Sequence, residues 1–234
     1  MNKRAAIALG CKCDLCPLQE AEGPVLTERH PGAQIVLVGD APSERSVKEG
    51  RPFVGPAGNL LMKGVKQAGL RRNDIHWTNV LMCRPPEGDL QRVLKVTSRK
   101  NRQIEKVNKE RLKDAKDAGM DLDDVPLVPT IPSPMQCCAP RLKREMADFT
   151  QVIPSGSFAV RQLVGKGANI FQLRGSPVTV DRDDREVKML PILSVHFVFH
   201  TMRWNHVLLS DLRRAVRFFR DEMNWHPPKI TFNP

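Results

Sequence analysis

The feature that most constrains this chain is the apolar run Ile35-Val36-Leu37-Val38, which stops abruptly at Gly39-Asp40-Ala41-Pro42. A short run rich in β-branched side chains and bounded by glycine and proline predicts a buried strand that must turn where it ends. The strand therefore delivers a carboxylate, Asp40, to a loop. The loop has a second rigid corner at Gly50-Arg51-Pro52-Phe53-Val54-Gly55, and Pro56-Ala57-Gly58-Asn59-Leu60-Leu61 then opens a helix expected over 56–70, with proline in its first turn. A second buried strand is expected over 77–81, carrying Asn79. Val152-Ile153-Pro154-Ser155-Gly156, followed by 157–164, reads as another strand–turn–helix unit. Repeated βα units favour a parallel sheet with helices on both faces, where ligands bind at the carboxyl ends of the strands. An irregular hairpin around Arg174-Gly175, a last strand over 189–196 and a final helix from Arg203 or Trp204 to about Asp221 complete the expected order.

Length and composition narrow the class. A chain of 234 residues with 41% hydrophobic residues suits one domain, 1–234, with a sizeable core. A formal charge of +11 fits a polyanionic partner. No apolar span of membrane length and no basic amphipathic anchor is found, so nucleic acid is expected as the partner and a membrane is not. The charged opening Met1-Asn2-Lys3-Arg4 is followed by too short an apolar stretch for a signal peptide, so an intracellular protein, cytoplasmic or nucleoid-associated, is expected. In that setting six cysteines point to metal or cluster binding over disulfides.

Cys13 and Cys16 form a C-x-x-C knuckle, which brings two thiolates to one metal centre without completing the site. The remaining candidates are Cys83, before Arg84-Pro85-Pro86, and the pair Cys137-Cys138, before Ala139-Pro140. Four thiolates suit a [4Fe–4S] cluster or a closed zinc site, and spacing alone does not choose between them.

Three segments together resemble the family 4 uracil-DNA glycosylases, the iron–sulfur branch of that superfamily: the loop from Gly39 through Gly50-Arg51-Pro52-Phe53-Val54-Gly55, the run Thr78-Asn79-Val80-Leu81-Met82-Cys83-Arg84-Pro85-Pro86, and the context Cys138-Ala139-Pro140-Arg141-Leu142-Lys143-Arg144-Glu145. The resemblance implies a three-layer α/β/α sandwich around a central, mainly parallel four-stranded sheet. It implies a [4Fe–4S] cluster on Cys13, Cys16, Cys83 and Cys138, with structural zinc as the alternative, and leaves Cys11 and Cys137 as spare thiols. It implies that Ala41, Phe53 and Asn79 bind a flipped uracil, Phe53 by stacking and Asn79 through its amide. Asp40 would then support the developing sugar cation or a water, and His196 would donate to the uracil oxygen.

The departures are local. Asp40 stands where the family has glutamate, Ser43 where it has glycine, Glu87-Gly88-Asp89 where it has G-N-R, and Phe197 follows His196 where it has proline; His200 is an alternative to His196, and Glu44 to Asp40 as the group that positions water. An insertion over 87–135 sets off the third cysteine context. Between Arg92 and Lys116 it holds ten Lys/Arg against three acids, without Pro or Gly, and reads as a helical arm that is either solvated or follows phosphates. An acidic and then proline-rich stretch, 121–134, would return the chain as an extended loop. The expected function is excision of uracil from DNA. The alternatives are a glycosylase-like DNA-binding scaffold with weak or no catalysis, whose protein partner would meet the basic insertion, and a glycosylase for another modified pyrimidine.

Overall fold

In the computed structural model, which describes residues 3–182 and 184–223, the run expected to form a strand is β1 (Ile35–Gly39), buried along its whole length. Before it lies α1 (Arg4–Ala8) and after it come α2 (Glu44–Glu49), α3 (Gly55–Gln67), β2 (Ile75–Asn79) and the long α4 (Leu90–Asp117). Then follow α5 (Pro134–Met146), β3 (Gln151–Ser155), α6 (Ser157–Leu163), α7 (Ile170–Leu173), β4 (Val178–Arg182), β5 (Arg185–Met189), α8 (Val195–His200) and α9 (Asn205–Phe219).

The sheet is five-stranded in the order β2-β1-β3-β5-β4. β1 pairs in parallel with β2 and β3, β3 pairs in parallel with β5, and β4 runs antiparallel to β5. The expected four strands become five because the hairpin lies over 178–189, beyond Arg174-Gly175, and adds β4 as an edge. Residues 170–173 of the expected hairpin are helical instead. β2 starts and ends two residues earlier than expected, so Asn79 is its last residue. The strand expected over 189–196 also shifts: β5 ends at Met189, although Leu190 and Ile192 still donate to Val152 and Pro154 carbonyls at 3.1 and 2.8 Å. Pro191 has no N–H, and after Ser194 the chain winds into α8, which carries His196 in its first turn.

In-register pairing places Leu37, Trp77 and Ile153 on one face and Val36, His76 and Val152 on the other. α3 packs with α8 and α9, and the Phe53 ring that leads into α3 lies 5.5 Å from Trp77, on the first face. α5 covers the second face: Thr78 donates to Glu145 at 3.0 Å, and the Phe149 ring, just past α5, lies tilted 5.0 Å from the His76 ring. α6 lies against β1 and β3 and, with α5, walls one groove. Helices on both sides of a buried sheet make the expected three layers. The β2 edge is closed by Glu28, which exchanges backbone hydrogen bonds of 3.0 and 2.9 Å with Trp77.

The basic stretch is the 28-residue α4, and its return segment is mostly extended after a short turn at Leu122–Asp124. α5 begins at Pro134, four residues before Cys138, the expected start. Among the described residues no helix is long and apolar enough to cross a membrane.

Candidate active site and cysteine cavity

Parallel register brings three strand ends level: Gly39 pairs with Asn79 on one side and with Ser155 on the other. Around these ends lies one pocket, and Asp40, Ala41, Phe53, Asn79 and His196 all line it. Gly39 is required there. A Cβ at this position would run into Asn79 Oδ1 and come within 2.6 Å of the Phe53 ring. Asn79 is buried, and no hydrogen bond to its side-chain amide is found among the described residues, so the amide is free for a ligand.

Phe53 has φ +52°, a left-handed backbone that costs a non-glycine residue energy unless its surroundings hold it. Arg72 supplies the hold. Its guanidinium donates to the Pro52 carbonyl at 2.8 Å and the Phe53 carbonyl at 3.4 Å, and it grips Glu28 through two bonds of 2.8 and 2.7 Å. Burial alone would raise the Glu28 pKa, yet the bonds from Arg72 and Arg51 hold it down to about 2. The pair therefore stays charged and the Phe53 corner stays fixed.

Asp40 does not stand free. Its Oδ1 accepts the Ala159 N–H at 2.8 Å, and the Phe158 N–H also bonds the carboxylate. Gly156, at φ +109°, lets the carboxylate lie where a Cβ would otherwise stand. Burial pushes the Asp40 pKa up to about 7, against the opposing pull of these two N–H groups and Arg161. His196 faces His200 with ring centroids 4.5 Å apart, and burial and that neighbour lower its pKa, which keeps the ring neutral. Glu44 pairs with Lys48 at 2.5 Å on the exposed side of α2 and is not among the residues lining the pocket.

Sequence reasoning missed Ser155 and Ser194, which line the pocket together with Ser43 and Ser46 of the loop. A signal for Ser155 existed, since a polar residue ending a third parallel strand belongs at the same level as Gly39 and Asn79. No local pattern marks Ala159 or Arg72.

All six cysteines line a second, apolar cavity, with Lys3, Leu18 and Met82 among its other walls. Cys13 lies in the turn Cys13–Leu15 with Cys16 just after it, Cys83 follows β2, and Cys138 projects from α5. The thiols lie close: Cys11 Sγ is 3.9 Å from Cys138 Sγ and 3.6 Å from Met82 Sδ. Donation from Cys11 draws Cys138 down to about 6, while burial pushes Cys83 up to about 11 and Cys137 up to about 12. Among the described residues no group of three or more His, Cys, Asp or Glu side chains is arranged to hold a metal ion, so what the cysteines share is a cavity wall.

The chain is 45% identical over 76 residues to a type-4 uracil-DNA glycosylase of Thermotoga maritima, a match covering 32% of this chain and 40% of that protein. It is 49% identical over 76 residues to the type-4 enzyme of Sulfurisphaera tokodaii, covering 32% and 34%, and 43% identical over 75 residues to that of Pyrobaculum aerophilum, covering 32% and 38%. The chain thus matches less than half the length of each of these relatives. Residues 27–212, which hold every strand and the whole pocket lining, match the family model of the uracil DNA glycosylase superfamily, and the chain belongs to that superfamily.

Proposed function

We propose that this chain is a monofunctional DNA glycosylase that takes uracil out of the stack and hydrolyses its N-glycosidic bond, leaving an abasic site. The observation that carries the reading is the pocket at the level strand ends, where a free amide, a fixed aromatic ring, a carboxyl group and an imidazole share one cleft. Phe53 stacks on the flipped base, and the Asn79 amide, donor and acceptor in one plane, reads its polar edge. As the bond lengthens, positive charge grows on the sugar and negative charge on the base. Asp40 in its charged form supports the first and holds water. A neutral His196 donates one N–H to the base oxygen, and each such contribution is worth roughly 2–4 kcal/mol of barrier.

The cysteine cavity suits a [4Fe–4S] cluster by its donor set: soft thiols on an apolar wall, with Cys13, Cys16, Cys83 and Cys138 in the matching contexts. When bound, the cluster would act as a covalent staple joining the N-terminal segment, the loop after β2 and α5; zinc on the same four thiolates is the alternative.

One observation favours the second reading, a scaffold with weak catalysis: an Asp40 oxygen is already engaged by the Ala159 N–H. Uracil release from a single-stranded oligonucleotide by anaerobically purified protein separates the two. Release by the wild type that falls at least a hundredfold, on the scale of a lost catalytic contact, in both Asp40→Asn and Asn79→Ala supports the enzyme. DNA binding without release supports the scaffold.

A further inference from the structure

The pocket makes no use of α4, the longest helix among the described residues. Arg92, Lys95, Arg99, Arg102, Lys106 and Lys109 follow one another at alternating steps of three and four residues, a rhythm that Lys113 and Lys116 continue. Such steps place side chains on one face of a helix. All eight are exposed. From Arg92 to Lys116 the stripe is about 36 Å long at 1.5 Å per residue.

The opposite face is already occupied. Asn101 and Asn108, two helical turns apart, each clasp the return segment through two bonds: Asn101 with both backbone groups of Ile131 at 2.9 and 2.8 Å, Asn108 with both of Val128 at 2.9 Å. Arg111 adds a bond of 2.7 Å to the Pro126 carbonyl. The helix is therefore held with its basic stripe turned outward. Two of the eight cations have carboxylate neighbours, Arg92 with Glu87 at 2.9 Å and Lys106 with Glu110 at 3.9 Å, both pairs exposed. Neighbouring like charges at these spacings weaken a helix by themselves, and a polyanion lying along the stripe would relieve them. α4 begins eleven positions after Asn79, the last residue of β2, at whose carboxyl end the pocket lies.

We propose that this face of α4 is a docking rail for the sugar–phosphate backbone of DNA, separate from base recognition in the pocket. The rail does not depend on the glycosylase reading, because it binds the backbone whatever the base.

The test is fluorescence anisotropy of the full-length protein on a labelled, uracil-free single strand over a salt series. One variant carries Lys95→Gln, Arg99→Gln, Arg102→Gln and Lys106→Gln; a control removes the same charge from exposed positions of α9 and the residue that follows it, with Arg213→Gln, Arg214→Gln, Arg217→Gln and Arg220→Gln. Each neutralised phosphate contributes about 0.7 to the slope of log affinity against log salt for single strands, so the α4 variant should lose about 2–3 units of slope and about tenfold or more in affinity at low salt. The control should keep most of both, and unchanged thermal midpoints show that both variants are folded. An unchanged slope in the α4 variant overturns the proposal and directs the stripe to an acidic protein surface. Equal losses in the two variants overturn it as well, reducing the effect to net charge. Uracil release measured in parallel on a uracil-containing strand at saturating concentration keeps the readings distinct: a rail that binds without release leaves this proposal standing and sinks only the catalytic one.

Discussion

Asp40 combines two demands that pull against each other. The proposed chemistry needs a carboxylate, yet burial raises its pKa to about 7. Activity that depends on the charged form should therefore rise with pH through about 7, and single-turnover rates of uracil release between pH 5.5 and 8.5 check this. A flat profile over that range would remove Asp40 from the rate-determining step. The same shift has a stability consequence of defined sign. Because the folded-state pKa lies above the unfolded value, Asp40 contributes stability that is complete below about pH 4 and is lost as pH rises through about 7. Asp40→Asn carries no such loss, so its thermal midpoint should gain on the wild type as pH increases, even as its activity disappears.

At the scale of one element, α5 couples the two sites. Cys138 faces the cysteine cavity, and one turn later Arg141, fully buried, reaches the end of β2. It donates to the Asn79 and Val80 carbonyls at 2.7 and 2.9 Å, to Thr78 at 2.9 Å and to Glu145 at 2.9 Å. Removing one member of a buried ion pair leaves its partner without compensation and costs on the order of 3–5 kcal/mol. Arg141→Met should therefore lower the denaturation free energy in urea by that amount. It should also raise KM more than it lowers kcat, because Asn79 loses its backbone anchor while the reacting groups remain. A change confined to stability would restrict Arg141 to the core.

At the scale of the molecule, the cysteine cavity gathers segments that the sheet leaves apart: the N-terminal turn, the loop after β2 and α5. A metal group held there stabilises the fold by whatever its binding free energy supplies, since the unfolded chain has no preformed site. Cys83→Ser is expected to lose iron, measured by colorimetric assay of anaerobic protein, and to melt several degrees lower. Cys137→Ser is expected to keep both iron and midpoint. Iron retained by Cys83→Ser would reject the proposed ligand set, and zinc in place of iron would select the alternative metal.

The sequence by itself determined what depends on neighbours along the chain. Ile35–Gly39 is a strand because its apolar run is broken by glycine, and Asp40 follows it onto a loop because the turn is local. Asn79 is legible as a polar residue on the second strand, but its place in the pocket, like that of Phe53 in the loop before α3, came from the resemblance of their motifs; the charge pattern of α4 is legible as helical spacing alone. Residues far apart in the chain were decided only by the tertiary structure. Asp40 meets the Ala159 N–H across 119 positions, and Arg72 locks the Phe53 corner from 19 positions away. Neither contact leaves a periodic trace. His196 reaches the pocket from a helix where a strand was expected, since Leu190 to Leu193 are as apolar as a strand and only the ladder against β3 shows where pairing ends. Which face of α4 meets solvent was likewise set by the return segment that Asn101 and Asn108 hold, because a helix shows its periodicity in sequence but acquires an inside only when something packs on it.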